Sequence, residues 1–338
     1  MKEHNNTVGT NFFKKIFIKI CRIFGYEIID QGTYEVPTLD KNLNETLSIP
    51  GKKSITVPLG QVQITRKIKS LKVIFRSCTN ELIMDQNKKR LFERNKNEYT
   101  FRSLNSLLKS IAVAKKIFNQ IDFEIIVTDA NSNRTDLDRI KNILSKHEIK
   151  FQLIEIVLED FKDKIVGNYS PAKFANMANL YTSLILAKNE SKDLIYFVED
   201  DYIHTRNAIL EMLFVYEKFS SILKNEIFLV PADYPYLYTK NINTKIFFGH
   251  QKHWRLIDES LVTFMTSKEV ILNNLEKLLI MAKKWDDPWE KPLHDVYRKI
   301  PCFSPIPSLS MHCANINSVY GLPPSLNWKK IWDENENY

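Results

Sequence analysis

Four short apolar segments separated by helical segments restrict the fold of this chain more than any other feature. The apolar segments span residues 71–75, 123–127, 151–157 and 194–198. Residues 101–118, 135–144 and 172–187 are predicted to form helices, and the first of these repeats leucine and isoleucine at helical spacing. Strands that alternate with helices predict an α/β domain with a mixed, largely parallel sheet that is flanked by helices.

Three consecutive acids, Glu199, Asp200 and Asp201, follow the fourth apolar segment. Carboxylates at the end of a buried strand repel one another, which is costly. A hard cation relieves this repulsion, because Mg²⁺ and Mn²⁺ prefer oxygen ligands and share them with substrate phosphates. The alternative is a solvated loop whose acids cap the next helix, since Thr205 and Asn207 are residue types that begin helices.

A second acid, Asp129, follows the second apolar segment in the same way. Ligands of parallel sheets bind beyond the carboxyl ends of the strands. We therefore expect Asp129 and the three acids after residue 198 to contribute to one site.

The composition limits the binding partners and the cellular compartment that the sequence predicts. The 338 residues are 44% hydrophobic and carry a net charge of +8, as expected of a globular protein with anionic partners such as nucleotide diphosphates or acidic lipid headgroups. Nucleic acid is not expected, because there is no long basic run and no nucleic-acid-binding motif. Four cysteines without metal-binding spacing, no apolar run long enough for a membrane span and no secretion signal predict a cytoplasmic protein.

The N-terminal segment has the pattern of a basic amphipathic helix. Lys15, Lys19 and Arg22 recur at helical spacing among apolar residues, and Gly25 is placed to end the helix. Such a helix, at residues 11–24, could bind peripherally to the anionic inner face of the membrane. It could equally pack against the main domain or against a second subunit. The rest of residues 1–68 is predicted to be an irregular arm.

With these motifs located, residues 70–205 resemble nucleotide-sugar-dependent glycosyltransferases of the GT-A fold, nearest to family 2-like members. The resemblance is carried by the loop Arg76–Asn80 after the first strand, by FEIIVTDANSNRTD around Asp129, by KFANMANLYTSLILAK around Asn176, and by LIYFVEDDYIH. It implies a nucleotide-binding half at residues 69–205 and an aromatic-rich, acceptor-binding half at 206–338.

The resemblance also implies roles for individual residues. Asp201 matches a direct ligand of Mn²⁺ or Mg²⁺, and His312 matches a late histidine that completes the metal site in many GT-A enzymes. The residues expected to contact the nucleotide are Arg76, Asn80, Asp129, Asn176, Glu199 and Asp200. Arg255 lies in the basic and aromatic cluster 252–255, which could hold the diphosphate or stack on a sugar, or could protect an edge strand from aggregation.

The catalytic base is expected between residues 285 and 298. His294-Asp295-Val296-Tyr297 resembles the acidic motif that supplies the base in family 2-like enzymes, so Asp295 is the first candidate and Asp287 the second. A single aspartate base would imply inversion at the anomeric carbon. The alternative is that Asp295 caps a helix or pairs with Arg298.

The predicted function is therefore metal-dependent transfer of a sugar, of the hexosyltransferase type. The donor is a nucleotide-diphosphate sugar, and the acceptor is a glycan or a lipid-linked molecule in surface polysaccharide or glycoconjugate synthesis. Nucleotidyl transfer is a second hypothesis, but that class usually requires a glycine-rich loop, and no glycine occurs between Leu71 and Val166. A third hypothesis is a GT-A-like domain that binds nucleotide or glycan without turnover.

Overall fold

The computed structural model describes residues 12–26, 63–80, 89–239, 244–336 and 338. The chain divides into two compact units, Met1–Gln61 and Val62–Tyr338. Residues 65–68 bond to Ser221 and Glu217 within the larger unit, and the predicted domain boundary at residue 68 stays a prediction. The predicted irregular arm falls mostly outside the described residues.

In the first unit, helix α1 spans Phe12–Ile23. Gly25 follows the helix with a φ of 81°, a left-handed conformation that glycine adopts without strain. The predicted helix and its end at Gly25 are confirmed for these residues.

The second unit contains the other described helices and all the described strands. The helices are α2 (Lys96–Ile117), α3 (Arg134–Ser145), α4 (Pro171–Glu190), α5 (Ala208–Leu223), α6 (Tyr236–Thr239), α7 (Lys268–Lys283), α8 (Lys291–Tyr297) and α9 (Trp328–Asp333). The strands are β1 (Ser70–Ser77), β2 (Asp122–Asp129), β3 (Lys150–Glu155), β4 (Leu194–Glu199), β5 (Tyr202–His204), β6 (Phe228–Leu229), β7 (Ile246–Phe248), β8 (His253–Ile257), β9 (Phe264–Ser267), β10 (Cys302–Ile306) and β11 (Ser310–His312). Two short 3₁₀ helices span Leu91–Glu93 and Leu158–Phe161.

The main sheet has nine described strands in the order β3-β2-β1-β4-β9-β6-β10-β8-β7. The first four run parallel, whereas β9 and β8 run antiparallel to their neighbours. Strand β1 is buried along its whole length, as expected of a central strand with helices on both faces. On the helical layers, α2 packs against α3 and α5, and α4 packs against α7. The predicted mixed, mostly parallel α/β sheet is confirmed.

The register of the central strands brings their carboxyl ends level. Ser77 of β1 pairs with Asp129 of β2, and Arg76 of β1 pairs with Glu199 of β4. The acids that follow two separate apolar segments therefore lie at the same edge of the sheet.

A second, two-stranded sheet joins the end of the chain to this edge. Strands β5 and β11 are antiparallel, with Tyr202 opposite His312 and Ile203 opposite Met311. The backbone N–H of Cys313 donates to the carbonyl of Asp201 at 2.9 Å. The sequence after Trp285 has little regular pattern, yet it forms α8, β10, β11 and α9. Strands β10 and β11 are short, so their pairing depends on distant partners and leaves little local pattern.

Candidate functional site

A cavity of about 230 Å³ opens where β1 and β4 end. Its wall includes six of the residues that were expected to form the site: Arg76, Asn176, Glu199, Asp200, Asp201 and His312. The structure thus brings together side chains from β1, α4, the turn after β4, and β11.

Each of the three consecutive acids has a different partner. Oε1 of Glu199 lies 2.9 Å from Nη2 of Arg76. Oδ2 of Asp200 accepts from the hydroxyl of Thr100 at 2.8 Å and from the backbone N–H of Cys78 at 3.2 Å. All three acids are only partly exposed, so they do not form the solvated loop that was the alternative.

Asp201 pairs with His312, whose Nε2 lies 3.3 Å from its Oδ2. The Nδ1–H of His312 donates to the carbonyl of Tyr320 at 2.8 Å, so in neutral His312 the lone pair is on Nε2 and faces Asp201. Oδ1 of Asp201 is buried and has no hydrogen-bond partner among the described residues. An oriented imidazole beside an unsatisfied carboxylate oxygen is the arrangement in which proteins hold a divalent cation.

The donor set suits a cation that is shared with a ligand. No group of three or more His, Cys, Asp or Glu side chains in the described part of the chain is arranged to hold a metal alone. One carboxylate and one imidazole leave coordination positions for phosphate oxygens, as Mg²⁺ and Mn²⁺ sites in nucleotide-binding proteins commonly do. The residues present therefore fit a metal that binds together with a diphosphate.

Asp201 and His312 each shift the pKa of the other. Burial opposes ionisation of both groups, but the charge of His312 lowers the pKa of Asp201 below its ordinary value. In turn, Asp201 outweighs burial and raises the pKa of His312. Burial also raises the pKa of Glu199, although Arg76 opposes this. The pair of Asp201 and His312 therefore favours a proton on His312 next to ionised Asp201. A dication bound at the same place would balance the negative charge of the carboxylates of Glu199 and Asp201.

Two cations lie beside the acids in the cavity wall. Arg76 is only 4% exposed, and its Nε has no hydrogen-bond partner among the described residues. Nζ of Lys96 lies 3.8 Å from Oδ2 of Asp200 and donates to the carbonyl of Cys78. Burial lowers the pKa of Lys96, but Asp200, Cys78 and Asp201 together outweigh burial and raise this pKa, so the ammonium stays charged. Lys96 was not expected here, because its segment matched no motif.

Asp129 lies behind the cavity wall rather than in it. Its Oδ2 accepts from the hydroxyl of Ser77 at 2.7 Å, and its Oδ1 accepts from the backbone N–H of Ser132 at 2.8 Å. The hydroxyl of Ser132 in turn accepts from the backbone N–H of Thr79 at 2.8 Å. Burial raises the pKa of Asp129 despite these bonds. Asp129 therefore ties together the loops after β1 and β2, and its contact with a nucleotide stays a prediction.

The loop after β1 also carries Asn80, which is exposed and does not line the cavity. Its side chain accepts from Nδ2 of Asn133 at 3.3 Å. Its role in nucleotide binding likewise stays a prediction.

Helix α4 contributes a second asparagine that was not expected. Asn176 accepts from Nη1 of Arg76 at 3.4 Å. Asn179, one turn further, is buried and donates to the carbonyls of Ser77 and Thr128 at 3.2 and 2.9 Å. The spacing of the two asparagines, three residues apart and thus on one helix face, is the signal that could have indicated both.

Arg255 is not among the residues that line the cavity. Its Nη2 lies 2.8 Å from Oδ1 of buried Asp233, and its guanidinium covers the ring of Tyr238 at 4.5 Å. The structure thus gives Arg255 a buried partner, and its predicted role in nucleotide binding is not supported by this geometry.

Neither candidate base reaches the cavity. Asp295 is paired with Arg298 at 3.0 Å, Lys291 at 3.0 Å and Lys277 at 3.4 Å, which is the ion-pair alternative that the sequence left open. Asp287 is exposed on the segment before α8. Their role as base stays a prediction, and the structure places both outside the site that the metal ligands define.

Comparison with known proteins gives only distant structural similarities. No protein-family model and no curated protein matches this chain. Among solved structures it is similar to TarS of S. aureus (14% identity, covering 61% of this chain and 29% of that chain, TM-score 0.34). It is also similar to the galactosyltransferase LgtC (10% identity, 67% and 66% covered, TM-score 0.31) and to a UDP-glucose pyrophosphorylase (10% identity, 80% and 97% covered, TM-score 0.37).

The chain spans less than two thirds of the length of TarS and of LgtC. The mixed, mostly parallel sheet flanked by helices is consistent with the GT-A fold that the sequence resemblance implies. A GT-A fold supports more than one chemistry, so the function has to be argued from the site.

Proposed function

We propose that this protein is a metal-dependent glycosyltransferase of the hexosyltransferase type, with a nucleotide-diphosphate sugar as its donor. The observation that carries the proposal is the meeting of opposite charges in one cavity. Arg76 and Lys96 line this cavity together with Asp201 and His312. The negative charges of a bound diphosphate have to be balanced by cations. Arg76 and Lys96 supply two of them, and a metal ion held by Asp201 and His312 would supply another.

Each group has a defined task in this proposal. Mn²⁺ or Mg²⁺, when bound, acts as a Lewis acid that stabilises the negative charge of the departing diphosphate. Asp201 and His312 hold the cation, while the buried guanidinium of Arg76 binds a phosphate oxygen. Lys96 adds a second positive charge, and Asp200 keeps that ammonium in place. Preorganised charges of this kind act most strongly where charge develops during the reaction.

The test is turnover of a panel of nucleotide sugars by the full chain with Mn²⁺. We expect one donor to be consumed, with release of a nucleoside diphosphate and loss of activity in EDTA. Asp201→Asn should bind Mn²⁺ about 10-fold or more weakly, since even partners outside the first shell change affinity by about that factor. Asp138→Asn is the matched control, because this aspartate is exposed on α3 and does not line the cavity.

The same assay separates the alternatives. Release of pyrophosphate from a nucleoside triphosphate and a sugar phosphate would identify a nucleotidyltransferase instead. Binding of Mn²⁺ and UDP or GDP without consumption of any donor would indicate a domain that binds without turnover. Equal Mn²⁺ affinity in wild type and Asp201→Asn would contradict the proposed metal site.

We further propose that α1 places the enzyme on an anionic membrane surface, where a lipid-linked or membrane-bound glycan would be the acceptor. The apolar side chains of α1 are exposed, for example Phe12 at 70%, Phe13 at 76% and Phe17 at 59%. Lys19 and Arg22 supply positive charge on the same helix. No helix among the described residues is long and apolar enough to cross a bilayer. A basic amphipathic helix with this composition is typical of peripheral binding at the inner face of the membrane.

Sedimentation of the full chain with vesicles tests this contact. We expect binding to vesicles that contain phosphatidylglycerol, weaker binding to pure phosphatidylcholine, and loss of binding in Phe13→Ser/Phe17→Ser. Val166→Ser, which changes an equally exposed residue of the second unit, should bind as wild type does. Binding that is unaffected by the α1 substitutions would exclude α1 as the contact.

A further inference from the structure

The two-stranded sheet fixes the backbones of both proposed metal ligands. His312 of β11 stands opposite Tyr202 of β5, the residue that follows Asp201. The backbone N–H of Cys313 donates to the carbonyl of Asp201 at 2.9 Å. A side chain that binds a metal must also be held about its own rotatable bonds, and the χ2 torsion of histidine has broad minima. The imidazole of His312 therefore needs further contacts to keep one orientation.

Two contacts hold this imidazole. The ring of Tyr202 stacks on it, with ring centroids 4.8 Å apart and an interplanar angle of 20°. The carbonyl of Tyr320 accepts from Nδ1–H of His312 at 2.8 Å. The stack fixes the plane of the imidazole, and the hydrogen bond keeps Nδ1 as the donor. Nε2 consequently faces Asp201, whose Oδ2 lies 3.3 Å away.

Tyr234 connects the two residues that make these contacts. Its hydroxyl lies 2.6 Å from the hydroxyl of Tyr202. Its ring packs edge-on against the ring of Tyr320, with centroids 5.3 Å apart. The backbone N–H of Tyr236 donates to the carbonyl of Val319 at 3.0 Å, which ties the backbone beside Tyr320 to the same segment. Both contacts to the imidazole therefore depend on the position of Tyr234.

The hydroxyls of Tyr202 and Tyr234 are costly for a core that serves packing alone. Both side chains have 0% exposure, and neither residue lines the cavity. Phenylalanine at the two positions would fill nearly the same space without burying polar groups. The hydroxyl of Tyr234 also bonds to the backbone of Leu261, so it is fixed from two directions. A satisfied buried network of this kind makes the surrounding core more rigid.

We propose that Tyr202 and Tyr234 are positioning residues for the metal ligand His312, an inference that rests on the proposed metal-dependent function. The bond between the two hydroxyls holds the Tyr202 ring against the imidazole, so Nε2 is directed toward Asp201 before the metal binds. Partners that orient a metal-binding histidine typically change metal affinity by about 10- to 100-fold.

The test measures Mn²⁺ affinity by titration calorimetry in the presence of UDP or GDP. Tyr202→Phe keeps the aromatic ring and removes one hydroxyl of the pair, and Tyr234→Phe removes the other. We expect each variant to bind Mn²⁺ about 10-fold more weakly than wild type. The double variant should bind Mn²⁺ no more weakly than Tyr234→Phe, because both changes break the same bond.

Tyr216→Phe is the matched control. Tyr216 is equally buried, and its hydroxyl donates to Oε2 of Glu226 at 2.6 Å. Neither of these residues lines the cavity. Loss of this hydroxyl should lower the melting temperature and leave the Mn²⁺ affinity at the wild-type value.

Two results would overturn the assignment. The first is wild-type Mn²⁺ affinity in both Tyr202→Phe and Tyr234→Phe. The second is an equally large loss of Mn²⁺ affinity in Tyr216→Phe, because the effect would then follow from a general loss of stability. Failure of the proposed function is distinguishable from both, because then the wild type binds no Mn²⁺ with the nucleotide, or Asp201→Asn binds it as tightly as wild type does.

Discussion

At the scale of single residues, the function depends on charges whose partners lie far apart in the sequence. The acids 199–201, Arg76 and Asn176 could be predicted to line the cavity because each occurs in a local motif, whereas His312 was predicted from the family resemblance alone. Lys96 could not, because nothing around it indicates that Asp200 lies 3.8 Å away. Arg255 was assigned from its basic and aromatic cluster and Asp295 from a motif resemblance, and in the structure they pair with Asp233 and Arg298. The sequence shows which residues are charged, but the partner is decided by packing.

Lys96 provides a prediction at this scale. Lys96→Met should weaken binding of UDP or GDP, measured calorimetrically with Mn²⁺, by about 10-fold or more, because a hydrogen bond to a charged group contributes about 1.5–3 kcal/mol. Lys116→Met is the matched control on the same helix, since Lys116 is exposed and distant from the cavity. Equal nucleotide affinity in wild type and Lys96→Met would show that Lys96 only neutralises Asp200.

At the scale of elements, the parallel strands were predictable and the late strands were not. Strands β1 to β4 are separated by helices, so their local periodicity identifies them. Strand β11 has only three residues, and its position is decided by its pairing with β5. That pairing carries His312 to Asp201, so the proposed metal site depends on a contact between distant parts of the chain.

Asn179 tests how α4 supports the sheet edge. Its amide bonds to both β1 and β2, and its carbonyl oxygen accepts from the hydroxyl of Thr128 at 2.6 Å. Asn179→Ala would leave these buried groups without a partner, so we expect the free energy of unfolding to fall by about 2 kcal/mol in urea denaturation. Asn189→Ala, at the exposed end of the same helix, should change it by less than about 0.5 kcal/mol. A similar, small loss in both variants would mean that the bonds of Asn179 do not stabilise this edge.

At the scale of the whole molecule, ion pairs away from the cavity join the segment before β1 to the rest of the second unit. Arg66, in the segment before β1, lies 2.5 Å from Oδ1 of Asp193 and 2.7 Å from Oε1 of Glu226. Burial alone would raise the pKa of Glu226, but hydrogen bonds from Arg66, Tyr216 and Ser267, together with the charge of Arg66, outweigh burial and lower this pKa below the ordinary 4.5. Because these residues do not line the cavity, their contribution to the free energy of unfolding can be measured without changing the proposed metal site.

This ion pair predicts a pH dependence. A carboxyl whose pKa is lower in the folded state contributes stability above its unfolded pKa, and this contribution is lost as pH falls through the folded pKa. The free energy of unfolding should therefore fall as pH is lowered from neutral through the region below 4.5. Glu226→Gln should be less stable at neutral pH and should show a weaker dependence, whereas exposed Glu276→Gln should behave as wild type. Identical pH profiles for wild type and Glu226→Gln would contradict the role of this pair.

The most direct measurement is a crystal structure of the protein with Mn²⁺ and UDP or GDP, in which the metal is located by its anomalous scattering. The proposed function predicts a single peak that contacts both Asp201 and His312, with the diphosphate between this peak and the side chains of Arg76 and Lys96. A metal bound elsewhere, or a nucleotide outside this cavity, would contradict it.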